Sequence, residues 1–320
     1  LKEIIKPNYD EIMEKTRAGH YPIQSGGHLR WSAGLEDPDG RSAIEVTSEE
    51  RLHAYEAGWT EGGFSFIYAF NDLSTNIRAN DTAGEFVRSK IREIVKEPET
   101  VEKLVPRDHP FLSKRGLIDT NYYDTYNLEN VTLVDIRHAP IQEITPKGIQ
   151  TEDEEYEFDI IVFATGYDAM TGSYFKIDIR GRNDLPLKQK WSEGPKTYLG
   201  VQTSGFPNLF MITGPGSPSV LSNMPVSIEQ HIEWISNFIV YMREHDIELA
   251  EADAQAEAAW VDHVNDVGSL TIYMLANSWY LGANIPGKPR VFMPYAVSVG
   301  TYRQECNDVA DNGYQGFILH

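Results

Sequence analysis

The chain has 320 residues, of which 28 are Lys or Arg and 48 are Asp or Glu, so its formal net charge is −20. Its 41% hydrophobic and 24% charged residues are typical of a folded globular protein of about two domains and exclude a disordered chain. The acidic balance argues against a nucleic-acid partner, because a polyphosphate backbone requires a basic surface. The single cysteine, Cys306, excludes a disulfide framework and a cysteine-rich metal site, and we expect it to be a small buried residue.

No apolar run reaches the roughly 20 residues of a membrane span, and no basic-then-apolar leader is visible. These patterns predict a cytoplasmic protein without a membrane partner and without a metal. The first residue is Leu1 rather than Met, which we interpret as a start inside a longer chain.

The first third of the chain predicts helices and carries no chemical signature. Thr47 and Glu50 have the spacing of a capping box in front of a helix over 51–58. Asp81 is expected to precede a second helix, which ends near Pro98, where a short third helix begins.

From residue 127 the pattern becomes that of an α/β protein. Residues 131–135 predict a buried strand, and Ile141–Ile144 with Gly148–Thr151 predict a hairpin. The apolar run in 158–166 predicts a strand buried on both faces of a parallel sheet, and 208–213 predicts another.

A long helix is predicted over about 225–244, with Asn223 as its candidate N-cap. Steps of four and three residues predict one core-facing stripe, made of Ile228, Ile232, Ile235, Ile239 and Met242. His231 and its glutamate neighbours lack the spacing of a zinc site, so we expect a histidine on the helix surface. Residues 248–259 predict a solvated helix.

A strand, a glycine-rich turn and a helix follow one another at 208–244, in the order typical of a dinucleotide site. Gly214 and Gly216 lie in the turn, and the N–H groups at the start of the following helix can hold a phosphate or a flavin carbonyl. A tight turn without a ligand explains this segment at least as well. No Gly-x-Gly-x-x-Gly loop and no Walker loop occurs in the chain.

Ala164, Thr165 and Gly166 end the predicted strand at 158–166, where the strands of an open α/β sheet meet a ligand and a glycine allows close approach. The alternative is a simple strand-end turn. Lys114 and Arg115 form a basic pair that can bind a phosphate and stabilise an oxyanion, whereas a solvated surface pair is the ordinary alternative.

Several stretches occur together in one order along the chain, and in them the sequence resembles the type I Baeyer–Villiger monooxygenases over nearly all its length. The stretches are Ile118-Asp119 with Tyr122-Tyr123, Phe175-Lys176-Ile177-Asp178-Ile179-Arg180-Gly181, Gly205-Phe206-Pro207-Asn208-Leu209-Phe210, Gly214-Pro215-Gly216-Ser217-Pro218-Ser219, Ser227-Ile228-Glu229-Gln230-His231, and Ser278-Trp279-Tyr280 followed by Gly282-Ala283-Asn284-Ile285-Pro286-Gly287-Lys288-Pro289-Arg290.

The resemblance implies an α/β fold of two Rossmann-like dinucleotide-binding domains, one for FAD and one for NADPH, with a helical insertion in the second. Residues 1–110 correspond to this insertion, 111–158 to the C-terminal part of the NADPH domain and 159–320 to the C-terminal part of the FAD domain. The family's two glycine loops, its fingerprint and its active-site Asp would precede these residues. We therefore expect the C-terminal part of a longer enzyme, which needs the missing N-terminal part.

The activity implied is oxidation of a small ketone to an ester or lactone with O2 and NADPH, through a C4a-peroxyflavin on FAD. By the resemblance, Arg115 is the catalytic arginine, Lys114 selects NADPH, and Trp279 lies on a mobile loop over the nicotinamide cofactor. The remaining residues that we expect to bind cofactor are Ala164, Thr165, Gly166, Gly214, Gly216 and Met224. Those expected to line the substrate pocket are Gly116, Ser219, Val220 and Leu221.

Two alternatives remain open from the sequence. A related flavin monooxygenase that oxidises N or S atoms needs no oxyanion-stabilising arginine, so the basic pair at Lys114 and Arg115 favours the ketone substrate. Alternatively, the 320-residue chain is truncated and has no activity of its own, since half of each nucleotide-binding fold would be absent.

Overall fold

The structure is a computed structural model that describes residues 7, 9–11, 14, 40–63 and 65–320. Most of the first 39 residues of the expected helical insertion therefore lie outside the described residues. Helices form most of the regular structure, with the bounds α1 Ser48–Glu61, α2 Ile77–Ile94, α3 Pro98–Leu104, α4 Tyr122–Thr125, α5 Leu187–Lys190, α6 Met224–Glu244, α7 Ala254–Ser269 and α8 Val299–Asp311.

Two small antiparallel sheets complete the described structure. The first contains β1 Ile141–Ile144, β2 Gly148–Thr151 and β3 Glu155–Glu157, and the second contains β4 Ala250–Ala252 and β5 Phe317–Leu319. The predicted hairpin is confirmed, because Ile144 pairs with Ile149 across the turn that joins β1 to β2. Short 3₁₀ turns lie at Ser65–Tyr68, Tyr174–Lys176, Arg182–Asp184, Ser219–Leu221, Ile272–Leu275 and Trp279–Leu281.

The helical region around α1, α2 and α3 largely follows the sequence signals. The capping box is confirmed, because Thr47 caps the Glu50 N–H and the Glu50 side chain accepts from the Thr47 N–H. Pro98 is confirmed as the start of α3. The expectation that Asp81 precedes α2 was wrong: the residue before the helix is Asn76, five positions earlier, and its side chain accepts hydrogen bonds from the N–H groups of the first turn.

The expected parallel strands are absent from the described residues. In 158–166, Ile160 and Val162 are 80% and 82% exposed, and no strand of the described chain lies beside them to share a hydrogen-bond ladder. Residues 131–135 are likewise irregular and only partly buried. In 208–213 the left-handed backbone at Asn208 and Thr213 interrupts an extended conformation.

The long helix α6 confirms the predicted element and corrects its buried face. Ile232 and Ile239 are 49% and 44% exposed, whereas Trp234 and Phe238 pack in the main core. The aromatic side chains remove more apolar surface from water than the isoleucines, so they determine the face that is buried. Asn223 is the N-cap residue as predicted, but its side chain makes no capping hydrogen bond.

Three further expectations are settled by burial. His231 was expected on the surface but is 1% exposed, because it lies on the buried face of α6. The segment 248–259 was expected to be one solvated helix; it contains the buried strand β4 and then α7, which begins after the N-cap Asp253. Cys306 is confirmed as a buried small residue.

Candidate functional site

The Arg115 side chain lies against the segment that contains Ser219, Val220 and Leu221. Its Nη1 atom donates a hydrogen bond to the Val220 carbonyl oxygen over 2.5 Å, and the guanidinium lies close enough to the Tyr280 hydroxyl to influence its ionisation. Burial raises the pKa of Tyr280, and Arg115 opposes part of that rise by favouring the charged form. The predicted catalytic arginine and the predicted pocket segment are therefore neighbours.

The loop before Arg115 is fixed by α2. The buried side chain of Asn80 donates hydrogen bonds of 2.7 Å to the carbonyl oxygens of Leu73 and Phe111. Leu112 then adopts a left-handed conformation with φ 64°, and the Ser113 hydroxyl donates to the Pro110 oxygen. These contacts turn the chain so that Lys114 and Arg115 follow a fixed bend.

Lys114 is half-buried and lies 3.9 Å from an Asp108 carboxylate oxygen. The His109 hydrogen bond lowers the pKa of Asp108, with a smaller contribution from the Lys114 charge. Gly116, the other residue expected beside the arginine, is also half-buried. Arg115 itself is exposed, so of the two basic residues only Lys114 departs from a solvated surface pair.

The pocket segment forms a single 3₁₀ turn, Ser219–Leu221. Ser219 is 1% exposed and adopts φ 44°, an uncommon conformation for a residue with a side chain. Its hydroxyl contacts the sulfur of Met170 at 3.7 Å. Leu221 packs in a buried cluster with Tyr273 and Tyr280, so this aromatic cluster supports both the turn and the arginine.

Trp279 begins the 3₁₀ turn Trp279–Leu281 and is half-buried at the edge of the same cluster. Its ring meets that of Tyr280 edge to face, with centroids 4.5 Å apart. The structure therefore brings Trp279 into the neighbourhood of Arg115 through Tyr280.

The two glycines of the 214–219 turn are required by the protein's own packing. A Cβ at Gly214 would lie 2.5 Å from the Gly200 oxygen. Gly216 has φ +83°, and a Cβ there would lie 2.9 Å from Thr197 Oγ1. The Trp260 indole N–H donates to the Gly216 oxygen. The tight turn that the sequence left open as an alternative thus explains these glycines, and contact with a cofactor remains a prediction.

Ala164, Thr165 and Gly166 are exposed. Gly166 has φ +85°, with open space where a Cβ would lie. The residues that follow are tied to the segment after Trp279, because Asn284 donates to the Tyr167 oxygen and Lys288 binds the Asp168 carboxylate.

The start of α6 offers donors and an acceptor that suit the pyrimidine edge of a flavin. Met224 is half-buried and begins the helix, whose first N–H groups lack intrahelical partners. The Asn223 Oδ1 atom is buried and accepts no hydrogen bond from the described residues. Such a set of donors beside an unpartnered acceptor matches a flavin edge that presents both carbonyl and N–H groups.

Several side chains around this site were not predicted from the sequence to belong to it. Tyr280 lies close to Arg115, Met170 contacts Ser219, and His231 contacts the residue before Gly214. Tyr280 was within reach of sequence reasoning because it directly follows Trp279. The others come from distant positions, and only the fold places them here.

No cluster of three or more His, Cys, Asp or Glu side chains in 40–63 or 65–320 is arranged to hold a metal ion. In the part of the chain that the structure describes, none of the helices has both the length and the apolar character needed to cross a bilayer.

No protein-family model matches the chain, but individual proteins do. A Baeyer–Villiger monooxygenase from Pseudooceanicola batsensis is 40% identical over 98% of this chain and 55% of its own length. The phenazine N-monooxygenase PhzNO1 from Lysobacter antibioticus is 39% identical over 98% of this chain and 56% of its own length. The chain thus spans little more than half the length of these curated relatives.

Solved structures agree. A complex of the enzyme OTEMO with FAD and NADP has a TM-score of 0.90 and 38% identity, covering 99% of this chain and 57% of that one. Cyclohexanone monooxygenase from Rhodococcus sp. Phi1, bound to NADP+, has a TM-score of 0.91 and 39% identity over the same shares. Over nearly all of its own length, this chain is therefore similar to slightly more than half of a Baeyer–Villiger monooxygenase.

Proposed function

We propose that this chain is the C-terminal part of an enzyme that converts ketones into esters or lactones with O2 and NADPH. The observation that carries the proposal is the position of Arg115. A permanently charged guanidinium lies against the turn Ser219–Leu221 and close to Tyr280, the neighbour of Trp279, in a chain 40% identical to a Baeyer–Villiger monooxygenase.

FAD, reduced by NADPH, supplies the activation of O2 in such an enzyme. Of the residues in this chain, the start of α6 with Asn223 and Met224 would hold the flavin edge, as its orphaned Oδ1 acceptor suggests. The turn with Gly214 and Gly216 and the exposed residues Ala164, Thr165 and Gly166 are proposed to line the rest of the cofactor site.

Arg115 would stabilise negative charge that develops on oxygen when a ketone carbonyl is attacked. Removing one such donor from a dry site typically costs ~10²–10³ in rate. Lys114 would take the 2′-phosphate of NADPH as a point charge, and Trp279 would exclude water from the reacting atoms. Ser219, Val220, Leu221 and Gly116 would shape the ketone pocket.

The exposed apolar side chains support the need for a further part of the enzyme. Leu117, Ile160, Val162, Phe163 and Tyr167 are among the most exposed large hydrophobic residues described. Four of them lie within the eight residues 160–167, which concentrates exposed apolar side chains in one segment. We propose that a preceding nucleotide-binding part covers them, with 1–110 as the helical insertion, 111–158 in the NADPH domain and 159–320 in the FAD domain.

This division predicts that the 320-residue chain alone is inactive and binds no FAD. The test is to purify the chain alone and the full-length enzyme and to compare their flavin absorbance. A full flavin complement on the isolated chain would contradict the proposed division.

The activity is tested with the full-length enzyme, NADPH and a set of cyclic and linear ketones, with ester and lactone products identified by mass spectrometry. Arg115→Ala should abolish ester formation while NADPH still reduces the flavin. Ester formation that survived Arg115→Ala would refute the role of this arginine, and absence of ester from the wild type would refute the ketone substrate.

Oxidation of a nitrogen atom is the second candidate, because the phenazine N-monooxygenase relative is 39% identical with the same coverage. A soft nucleophile such as an amine or thioether needs no oxyanion-stabilising arginine. An aromatic N-heterocycle and a thioether should therefore be included as substrates. If they are oxidised in both the wild type and Arg115→Ala while no ketone reacts, the second candidate is correct.

A further inference from the structure

His231 lies beneath the candidate site, on the buried face of α6, and neither the sequence patterns nor the proposed chemistry uses it. Its Nδ1 atom is 3.1 Å from the Thr213 backbone nitrogen and its Nε2 atom is 2.9 Å from the Tyr302 hydroxyl. The Tyr302 hydroxyl also donates to the Leu199 oxygen over 2.5 Å. One buried ring thus connects α6, α8 and the residue that precedes Gly214.

These partners determine which ring nitrogen carries the proton. The Thr213 N–H can only donate, so Nδ1 accepts, and the proton of the neutral ring lies on Nε2. That N–H donates to the Tyr302 oxygen, whose own proton goes to the Leu199 carbonyl. The Met211 oxygen is farther from Nδ1, at 3.4 Å, and is the weaker contact.

The contact with Thr213 fixes the beginning of the pocket segment. Thr213 adopts φ 50°, an uncommon conformation for a β-branched residue, and its N–H is tied to a buried acceptor on α6. Seven positions later, the carbonyl oxygen of Val220 accepts the hydrogen bond from Arg115. The backbone path from Thr213 to Val220 therefore influences the position of the Arg115 guanidinium.

The far end of the same segment is tied to α6 as well. The Ser222 hydroxyl contacts the Ser227 hydroxyl at 2.5 Å and donates to the Ser219 oxygen at 2.6 Å. Ser227 lies one turn before His231 on the same buried face. Side chains of α6 therefore bind the segment 213–222 at both ends. Residue 222 is also connected to α6 through the chain itself, whereas at Thr213 the contact with the helix is made by His231.

We propose that His231 is a positioning residue for the pocket segment: through Thr213 it sets the backbone path that places Val220 and, with it, Arg115. The proposal rests on the proposed function for its consequence in catalysis. A buried histidine that only filled space in the core would contribute stability without controlling the turn.

The test uses three variants of the full-length enzyme. His231→Leu removes both the acceptor and the donor, whereas His231→Gln retains one of each at the end of its side chain. Tyr302→Phe is the matched control, because it removes the distal hydrogen bond while leaving Nδ1 available to Thr213. Each variant is examined by amide hydrogen–deuterium exchange and by steady-state kinetics with simultaneous measurement of ester and H2O2.

We expect His231→Leu to increase the amide exchange rate in 213–222 much more than in α7. It should also lower kcat for ester formation at least roughly tenfold and increase the fraction of NADPH oxidation that ends in H2O2. His231→Gln should restore most of each loss, and Tyr302→Phe should lower the melting temperature with a smaller local effect. Exchange in 213–222 that rises no more than in α7 would overturn the proposal, as would unchanged kcat and coupling in His231→Leu. If the wild type forms no ester, the proposed function fails, while the exchange result still decides whether His231 holds the segment.

Discussion

Arg115 Nη1 donates a hydrogen bond to the carbonyl oxygen of Val220, which lies 105 positions later in the chain, over 2.5 Å. Because the acceptor is a backbone carbonyl, replacing the Val220 side chain leaves the acceptor in place. The hydrogen bond is lost only if the path of the backbone at Val220 changes. The Tyr280 side chain, which belongs to the aromatic cluster, lies close to the same guanidinium. The position of the candidate catalytic charge therefore depends on two segments that are far apart in sequence.

Tyr280→Phe should lower kcat for ester formation by roughly tenfold, because it removes a hydroxyl that lies close to the Arg115 charge while the ring continues to pack against Trp279. The melting temperature should change little. Tyr273→Phe is the matched control, since it removes a hydroxyl from the same buried cluster. Equal kinetic effects of the two substitutions would argue against a specific role of the Tyr280 hydroxyl.

Lys114→Ala should raise the KM for NADPH by about tenfold or more and leave the KM for NADH nearly unchanged, because only NADPH carries the 2′-phosphate that a point charge attracts. Steady-state kinetics with both cofactors provide the measurement. Lys103→Ala, which removes a surface lysine paired with Glu99, is the control and should affect neither constant. A parallel rise in both KM values would indicate a general structural effect.

Burial lowers the pKa of His231 to about 4, so the folded protein keeps this ring neutral where the unfolded chain takes up a proton. Stability should therefore fall as the pH decreases through about 6.5 and stop changing below about 4, with a loss of about 2 kcal/mol by pH 5. Denaturant unfolding at pH 7 and pH 5 measures this loss. His231→Gln, which does not titrate, should lose less stability over the same interval; an equal loss would show that other groups are responsible.

Gly216→Ala should destabilise the protein by more than Gly62→Ala, although both glycines have nearly the same positive φ. At Gly62, with φ 81° and ψ −172°, nothing lies within 4 Å of the added methyl group, so only the backbone strain of about 1–3 kcal/mol applies. At Gly216 the methyl group would also press on Thr197 and on the Trp260 indole. The two variants are compared by their melting temperatures. Equal decreases would show that the turn at Gly216 accommodates the methyl group without additional loss of stability.

The sequence determined the elements whose signals are local. The capping box at Thr47, the proline start of α3, the hairpin of β1 and β2, and the length of α6 follow from neighbouring residues and were confirmed. The relationship to Baeyer–Villiger monooxygenases also came from stretches that can be read along the chain.

The same local reasoning failed where the outcome depends on distant parts. The apolar run at 158–166 has the composition of a buried strand, but a strand forms only when neighbours share its hydrogen bonds, and none does so in the described chain. The spacing of isoleucines on α6 indicated a helix correctly, yet the buried face was set by Trp234 and Phe238 as they meet the rest of the core.

The candidate site divides in the same way. Lys114 and Arg115 could be selected from the sequence as a basic pair, whereas Trp279 was selected only through the resemblance to the family. Tertiary structure alone decided that Arg115 reaches Val220, that Tyr280 supports it, and that His231 lies beneath the turn rather than on the surface. The physical reason is that side-chain chemistry is a property of each residue, whereas burial and hydrogen-bond partners are properties of segments brought together by packing.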